Sequence, residues 1–173
     1  MKRVMFFVFV ISILAAVTAC NPSPKEAKGS EVSTGNIYLD KTWMESLDNE
    51  TLTLKGMEGS VVVIDFWASW CGPCKASIPF YIKMHDTYAE SGLKVIGVNV
   101  NETKEEIESY VSQSGMNYTM AFFNEDLNSI YRVTGIPAVF IFDKKGNKVA
   151  NFTGYSSELD AKIENIIKTE LSK

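Results

Sequence analysis

Residues 61–74 read VVVIDFWASWCGPC, a run of apolar, largely β-branched residues that ends in two cysteines three positions apart. Val61 to Phe66 predicts a strand buried on both faces, because its apolar residues run on instead of alternating with polar ones. Beyond the cysteines, Gly72 to Glu90 predicts a helix, with Pro79 inside it as a kink. Cys71 therefore falls where a strand gives way to a helix. A cysteine at a helix N-terminus faces unpaired backbone N–H groups and the positive end of the helix dipole. Both favour the thiolate, which is the nucleophile. Cys74, three residues on, shares the helical face and can attack a mixed disulfide formed at Cys71. The pattern assigns Cys71 as the exposed attacking thiol and Cys74 as the more buried resolving thiol.

Other uses of such a pair fit poorly. A structural zinc site needs four ligands, and the chain offers no second cysteine pair and one histidine, His85. No metal is expected. A bridge across three residues constrains little of the unfolded chain, so stability is a weak reason for it.

Working outward, Leu93 to Val100 reads as a second buried strand. Thr103 and Glu106 form a capping-box signature, and Gly115 is a stop for the helix between them. Tyr118 to Phe123 predicts a short strand and Asp126 to Val133 a short helix. Ala138 to Phe142 and Lys148 to Phe152 predict two strands around the turn at 143–147. Ser157 to Leu171 is a final helix with Leu159, Ile163, Ile166, Ile167 and Leu171 on one face. Residues 37–54 suggest one or two weaker strands. Strands alternating with helices imply an α/β fold, a mixed sheet covered on both faces. His85 is expected at the helix surface or half-buried there, and Lys144-Lys145 in a solvated turn. Arg132 carries no assignable role.

The amino end adds an address. Lys2 and Arg3 precede the almost wholly apolar stretch Val4 to Val17, 14 residues against the about 20 of a spanning helix. A basic start and a short apolar core read as an export signal. It ends at Val17-Thr18-Ala19-Cys20, which resembles the bacterial lipobox, where cleavage before the cysteine frees it for lipidation. Residues 1–19 are thus read as a lipoprotein signal peptide and Cys20 as the lipidation site. Residues 20–36, rich in Pro, Gly and polar residues, are a flexible tether, and 37–173 one domain. The whole chain has 17 Lys and Arg against 21 Asp and Glu. Loss of residues 1–19 removes Lys2 and Arg3 and no acid, leaving 15 bases, 21 acids and a formal charge of −6. No basic footprint for nucleic acid exists.

Val63-Ile64-Asp65-Phe66-Trp67-Ala68-Ser69-Trp70-Cys71-Gly72-Pro73-Cys74 resembles the signature of the thioredoxin superfamily. Pro79, five residues past the second cysteine, matches that family's helix proline. Gly135-Ile136-Pro137 before an apolar strand resembles its cis-proline loop, and Gly154 another family glycine. The lipid signal, the amino-terminal extension and a helix and strand inserted at about 103–123 narrow the likeness to membrane-tethered TlpA/ResA-like thiol–disulfide oxidoreductases. The resemblance implies a thioredoxin-like three-layer sandwich, Cys71 as nucleophile and Cys74 as resolving thiol. It implies that Gly72 and Pro73 tune the pair, and that Trp70, Ile136 and Pro137 form the substrate surface. The backbone of Ile136 would pair with an extended substrate segment.

Asp65 is an acid in an apolar run, and its burial without a partner would be costly. In thioredoxins an acid at the matching place moves the resolving thiol's proton, and Asp65 is assigned that role. The function implied is extracytoplasmic reduction of disulfides in exported proteins, on the periplasmic side of a bacterial membrane, by a lipid-anchored monomer. Cytochrome c maturation is one use. No cofactor beyond the Cys71–Cys74 pair is needed, but an oxidising compartment demands a membrane electron donor to re-reduce it. The alternatives are a disulfide oxidase or isomerase, whose potentials differ by on the order of 150 mV, and a copper-binding chaperone. A peroxidase is disfavoured by the cysteine context, and a pure anchoring module by the complete motif.

Overall fold

The computed structural model describes residues 36–173. The signal, Cys20 and nearly all of the tether lie outside the described residues. Among the described residues fourteen elements follow one another. In chain order the strands and α-helices are α1 (Ile37–Lys41), β1 (Trp43–Glu45), β2 (Thr51–Thr53), β3 (Val61–Trp67), α2 (Gly72–Tyr88), β4 (Leu93–Asn99), α3 (Lys104–Ser114), β5 (Thr119–Phe122), α4 (Glu125–Tyr131), β6 (Ala138–Phe142), β7 (Lys148–Thr153) and α5 (Ser157–Leu171). Short 3-10 turns lie at Lys55–Met57 and Ala89–Ser91.

The central sheet has the order β5-β4-β3-β6-β7. β3 and β4 are parallel, as are β4 and β5, whereas β6 runs antiparallel to both β3 and β7. The sheet is mixed, as the alternation of elements implied. Every residue of β3 is buried, and its alternation sorts its side chains between two cores. Val61, Val63 and Trp67 join Ile78, Tyr81 and Met84 of α2, Ile107 of α3, and Ile163 and Ile167 of α5. Val62, Ile64 and Phe66 meet Met44 and Leu54 of the amino-terminal segment, and Leu127, Ile130 and Tyr131 of α4. Helices thus cover both faces of a three-layer sandwich.

The local signals account for the ends of α3. Thr103 and Glu106 make both halves of the capping box, and Gly115 ends the helix in the left-handed region at φ 72°. The Pro79 ring leaves the Lys75 carbonyl without its intrahelical donor, while Ser77 Oγ donates to the Cys74 carbonyl one residue earlier.

Two expectations need correction. The segment 37–54 holds a helix as well as two strands: α1 forms because Asn36 Oδ1 accepts from the N–H groups of Tyr38 and Leu39. The Tyr38 ring then packs edge-on against Tyr131 and Phe142. Tertiary packing of one aromatic decides the conformation of a five-residue segment too short to declare a period. Lys144 is not simply solvated. It is half-buried, and its Nζ donates to the Leu171 carbonyl at 2.8 Å, supplying a donor to the end of α5.

Candidate redox site

Cys71 is the N-cap of α2, and its Sγ accepts from the Cys74 N–H at 3.2 Å. Sulfur here takes the place of the oxygen that ordinarily caps a helix. Cys71 and Cys74 are joined as a disulfide with Cα atoms 5.2 Å apart. Both cysteines are buried, contrary to the exposed position expected for Cys71: in the closed disulfide Cys71 keeps 6% of its surface exposed and Cys74 none, because both pack into the core cluster beneath α2. Gly72 and Pro73 are the first two helical residues. Proline fits there because a first-turn N–H has no intrahelical acceptor. A methyl group at Gly72 would meet nothing within 4 Å, so Gly72 borders open space.

Trp70 is 60% exposed, with its Nε1 donating to Asn101 Oδ1 at 3.3 Å. It stands on the surface beside Cys71 and does not pack into the core. The Ile136–Pro137 bond is cis. Ala138 pairs with Phe66 across the β3–β6 ladder, so Pro137, one residue earlier, lies at the sheet end from which the cysteine loop departs. Pro137 is buried and its carbonyl accepts from the Gly154 N–H at 2.8 Å. Ile136 is half-buried, and among the described residues its backbone N–H and C=O have no backbone partner.

Asp65 pairs in register with Gly97 on one side and Val139 on the other. Alternation along β3 puts its side chain on the face of Trp67, hence on the face of the core cluster that contains both cysteines. Asp65 is fully buried, and neither carboxyl oxygen has a hydrogen-bond partner among the described residues. Burial pushes its pKa up to about 8. Trp67 Nε1 and Tyr118 Oη are likewise buried without a partner. Burial first, and then the charge of Asp65, raise Tyr81 and Tyr118 well above the ordinary tyrosine range. His85 is half-buried at the other end of α2, outside the site. Among the described residues no group of three or more His, Cys, Asp or Glu is arranged to hold a metal ion.

The structure adds residues that the sequence did not single out. Ser69 N–H donates to Glu102 Oε2 at 2.7 Å, its hydroxyl donates to Glu102 Oε1, and Asn99 Nδ2 donates to Glu102 Oε2 at 2.6 Å. The available signal was the position of Asn99-Val100-Asn101-Glu102 just past a strand parallel to β3, because loops at the carboxyl ends of neighbouring parallel strands converge.

A thioredoxin-like sheet that presents a two-residue cysteine loop at a helix N-terminus defines the class of dithiol–disulfide proteins. Within it, the chain belongs to the AhpC/TSA family, whose model matches residues 38–150. Thiol-disulfide oxidoreductase ResA of Geobacillus thermodenitrificans is 27% identical over 163 residues, 93% of this chain and 92% of that protein. ResA of Bacillus thuringiensis is 28% identical over 109 residues, a match that spans 62% of this chain and 63% of that relative. A crystal structure from Chlorobium tepidum, described as a thiol:disulfide interchange protein DsbE, superposes with a TM-score of 0.69 at 29% identity. That match covers 75% of this chain and 92% of the other.

Proposed function

We propose that this protein is a disulfide reductase that works by dithiol–disulfide exchange through Cys71 and Cys74. The observation that carries the reading is the inequality of the pair: the Cys71 sulfur caps α2 and its residue keeps 6% of its surface exposed, whereas Cys74 is fully buried behind it. In the reduced protein the Cys71 thiolate attacks one sulfur of a substrate disulfide. The S–S bond breaks, the other substrate sulfur leaves as a thiolate, and a mixed disulfide remains. Cys74 then attacks Cys71 Sγ, releasing the second substrate sulfur and closing Cys71–Cys74. Two electrons pass to the substrate. Asp65, ionised in part of the population near neutral pH, takes the Cys74 proton as that thiol attacks. Trp70 and the free backbone of Ile136 receive the segment flanking the substrate cysteine, with Pro137 beside them, and Gly72 and Pro73 tune the pair.

The same reading places the enzyme outside the cytoplasm. Its signal, residues 1–19, is removed, Cys20 is lipidated, and residues 20–36 tether the domain to the membrane. Exported proteins are the substrates, with haem-attachment cysteines one class among them. A membrane dithiol donor returns the two electrons spent in each cycle. The reading is supported by the names of the relatives and by the basic, short apolar start of the chain.

The test is capture of substrate by the full-length Cys74→Ser variant. Mixed disulfides held on Cys71 and absent from a Cys71→Ser/Cys74→Ser control are expected. Faster alkylation of Cys74 than of Cys71 in the reduced wild type would reverse the roles. An amino terminus free of lipid on the mature protein would remove the anchor.

A further inference from the structure

We propose that Glu102 is a positioning residue for the redox pair: by holding Ser69 it fixes the turn that carries Trp70 and delivers Cys71 to the mouth of α2. The proposal rests on the reading of Cys71 as the attacking thiol.

The turn is defined by its own hydrogen bond, the Cys71 N–H to the Ala68 carbonyl at 3.1 Å. Its two central residues are Ser69 and Trp70. Neither is held from within the turn. Ser69 gives both its backbone N–H and its hydroxyl to the two oxygens of Glu102. That two-point grip fixes the orientation of the residue as well as its position. Trp70 gives its indole N–H to Asn101, the residue next to Glu102. The β4–α3 loop therefore grasps both central residues of the cysteine turn.

That loop is itself built from the sheet. Asn99, the last residue of β4, is 2% exposed. Its Oδ1 accepts from the N–H groups of Asn101 and Glu102 at 3.3 and 3.0 Å, and its Nδ2 donates to Glu102 Oε2. Position thus passes from β4 through Asn99 and Glu102 to Ser69, and along the turn to the N-cap sulfur.

The charge of Glu102 makes this arrangement informative. Burial alone would raise its pKa, but the hydrogen bonds from Ser69 and Asn99, with the nearby Lys75, outweigh burial and hold it below the usual carboxylate range. Glu102 is therefore an anion near the thiolate it helps to place. The other charged or titratable groups facing this corner are Lys75 of α2, whose Nζ lies 5.6 Å from the Tyr110 ring centroid, and Glu105, Glu106 and Tyr110 of α3. An anion acting only by its field would disfavour the Cys71 thiolate, so its removal would lower the Cys71 pKa. A residue acting by position does the opposite, because losing it lets the sulfur drift from the N–H groups and dipole that favour the thiolate. The two roles differ in sign.

The experiment uses the full chain in wild-type, Glu102→Ala, Glu102→Gln and Ser69→Ala forms. It measures the Cys71 pKa from the pH dependence of alkylation, and the rate of reduction of insulin disulfides. Glu102→Ala should raise the Cys71 pKa by about half a unit and slow insulin reduction on the order of tenfold. Glu102→Gln keeps an acceptor for Ser69 and should recover most of the rate, and Ser69→Ala should fall between. A Cys71 pKa lowered in both Glu102 variants with an undiminished rate would overturn positioning in favour of a simple field. Values equal to wild type in all three variants would also overturn it. If Glu102→Ala does not fold, the Gln and Ser69 variants still decide between these outcomes. A wild type unable to reduce insulin would instead defeat the reductase reading itself.

Discussion

Replacing Asp65 with Asn tests the buried acid on two independent scales. The folded pKa is about 8 against 3.8 for an ordinary Asp, raised by burial alone. Between those values the folded chain holds a proton that the unfolded chain has released. Folding then takes up a proton, and stability falls as pH rises from the unfolded pKa through the folded one. At about 1.4 kcal/mol per pH unit, the loss relative to strongly acidic solution reaches about 4 kcal/mol by pH 7. An Asn at this site is also a buried polar group without a partner, so it brings its own penalty. That penalty does not vary with pH. The informative quantity is therefore the slope of the stability difference between Asp65→Asn and wild type, not its absolute size.

The assay is denaturant unfolding of both oxidised proteins from pH 4 to pH 8. The disulfide keeps the cysteines from titrating, and other groups cancel in the difference. The stability of the variant should gain steadily on wild type as pH rises. A difference flat to within about 1 kcal/mol over that range, beyond extrapolation error, would refute the burial argument. The kinetic arm follows resolution of a mixed disulfide in the reduced protein. Wild-type resolution should accelerate up to about pH 8 as Asp65 ionises. Asp65→Asn should resolve slowly, with the first attack by Cys71 little changed. Equal resolution rates at every pH would leave Asp65 as a structural acid.

Three further substitutions probe the scaffold around the site. Gly97→Ala would put a Cβ 2.9 Å from Met120 Sδ and 3.0 Å from Trp67 Nε1, both buried; a loss of about 1–3 kcal/mol is expected in denaturant unfolding, and an unchanged midpoint would show that Met120 swings clear. Thr103→Ala removes one half of the α3 capping box and should cost about 1 kcal/mol with faster amide exchange in the first turn of α3; unaltered exchange there would deny the cap its role. Trp70→Ala removes an exposed side chain, so stability should stay within about 0.5 kcal/mol of wild type, while reduction of a protein disulfide should fall more than reduction of a small aliphatic disulfide. An equal fall for both would argue against a role in binding the substrate segment.

The parts of the molecule that could be read from the chain are those where one local signal agrees with the packing. The short, β-branched run 61–66, apolar but for Asp65, reads as a strand buried on both sides, and β3 lies at the centre of the sheet. The Thr103/Glu106 pair and Gly115 marked α3 because the caps of that helix are satisfied by its own neighbours. The cysteines announced the site because their chemistry depends on a strand–helix junction visible in a dozen residues. What could not be read depends on distant partners. α1 is capped by its neighbour Asn36, but a five-residue helix also needs Tyr38 to pack on Tyr131 and Phe142, about a hundred residues away in sequence. Lys144 reaches a helix end 27 residues on. Glu102 and Ser69 are 33 residues apart, and nothing local distinguishes this glutamate from those that follow it in α3.

Two carboxylates, Asp65 in β3 and Glu102 in the β4–α3 loop, show how the fold sets opposite conditions for one functional group near the β3–α2 junction. Asp65 points into the apolar face of a fully buried strand and has no donor. Its charged form loses hydration and gains nothing, so it stays protonated into the neutral range. Glu102 is buried less and is given three donors, so burial is outweighed and it remains ionised. A relay needs a proton that can move near working pH, which burial supplies. A clamp needs an acceptor that never changes state, which hydrogen bonding supplies. Exchanging the environments would disable both: a partnered Asp65 would be a permanent anion, too weak a base to take the Cys74 proton, and a neutral Glu102 would hold Ser69 through weaker bonds. The separation of the two environments follows from the sheet. Strand β3 carries Asp65 into the core at its middle, and β4, parallel beside it, ends where Glu102 can still reach the loop that Asp65's own strand becomes.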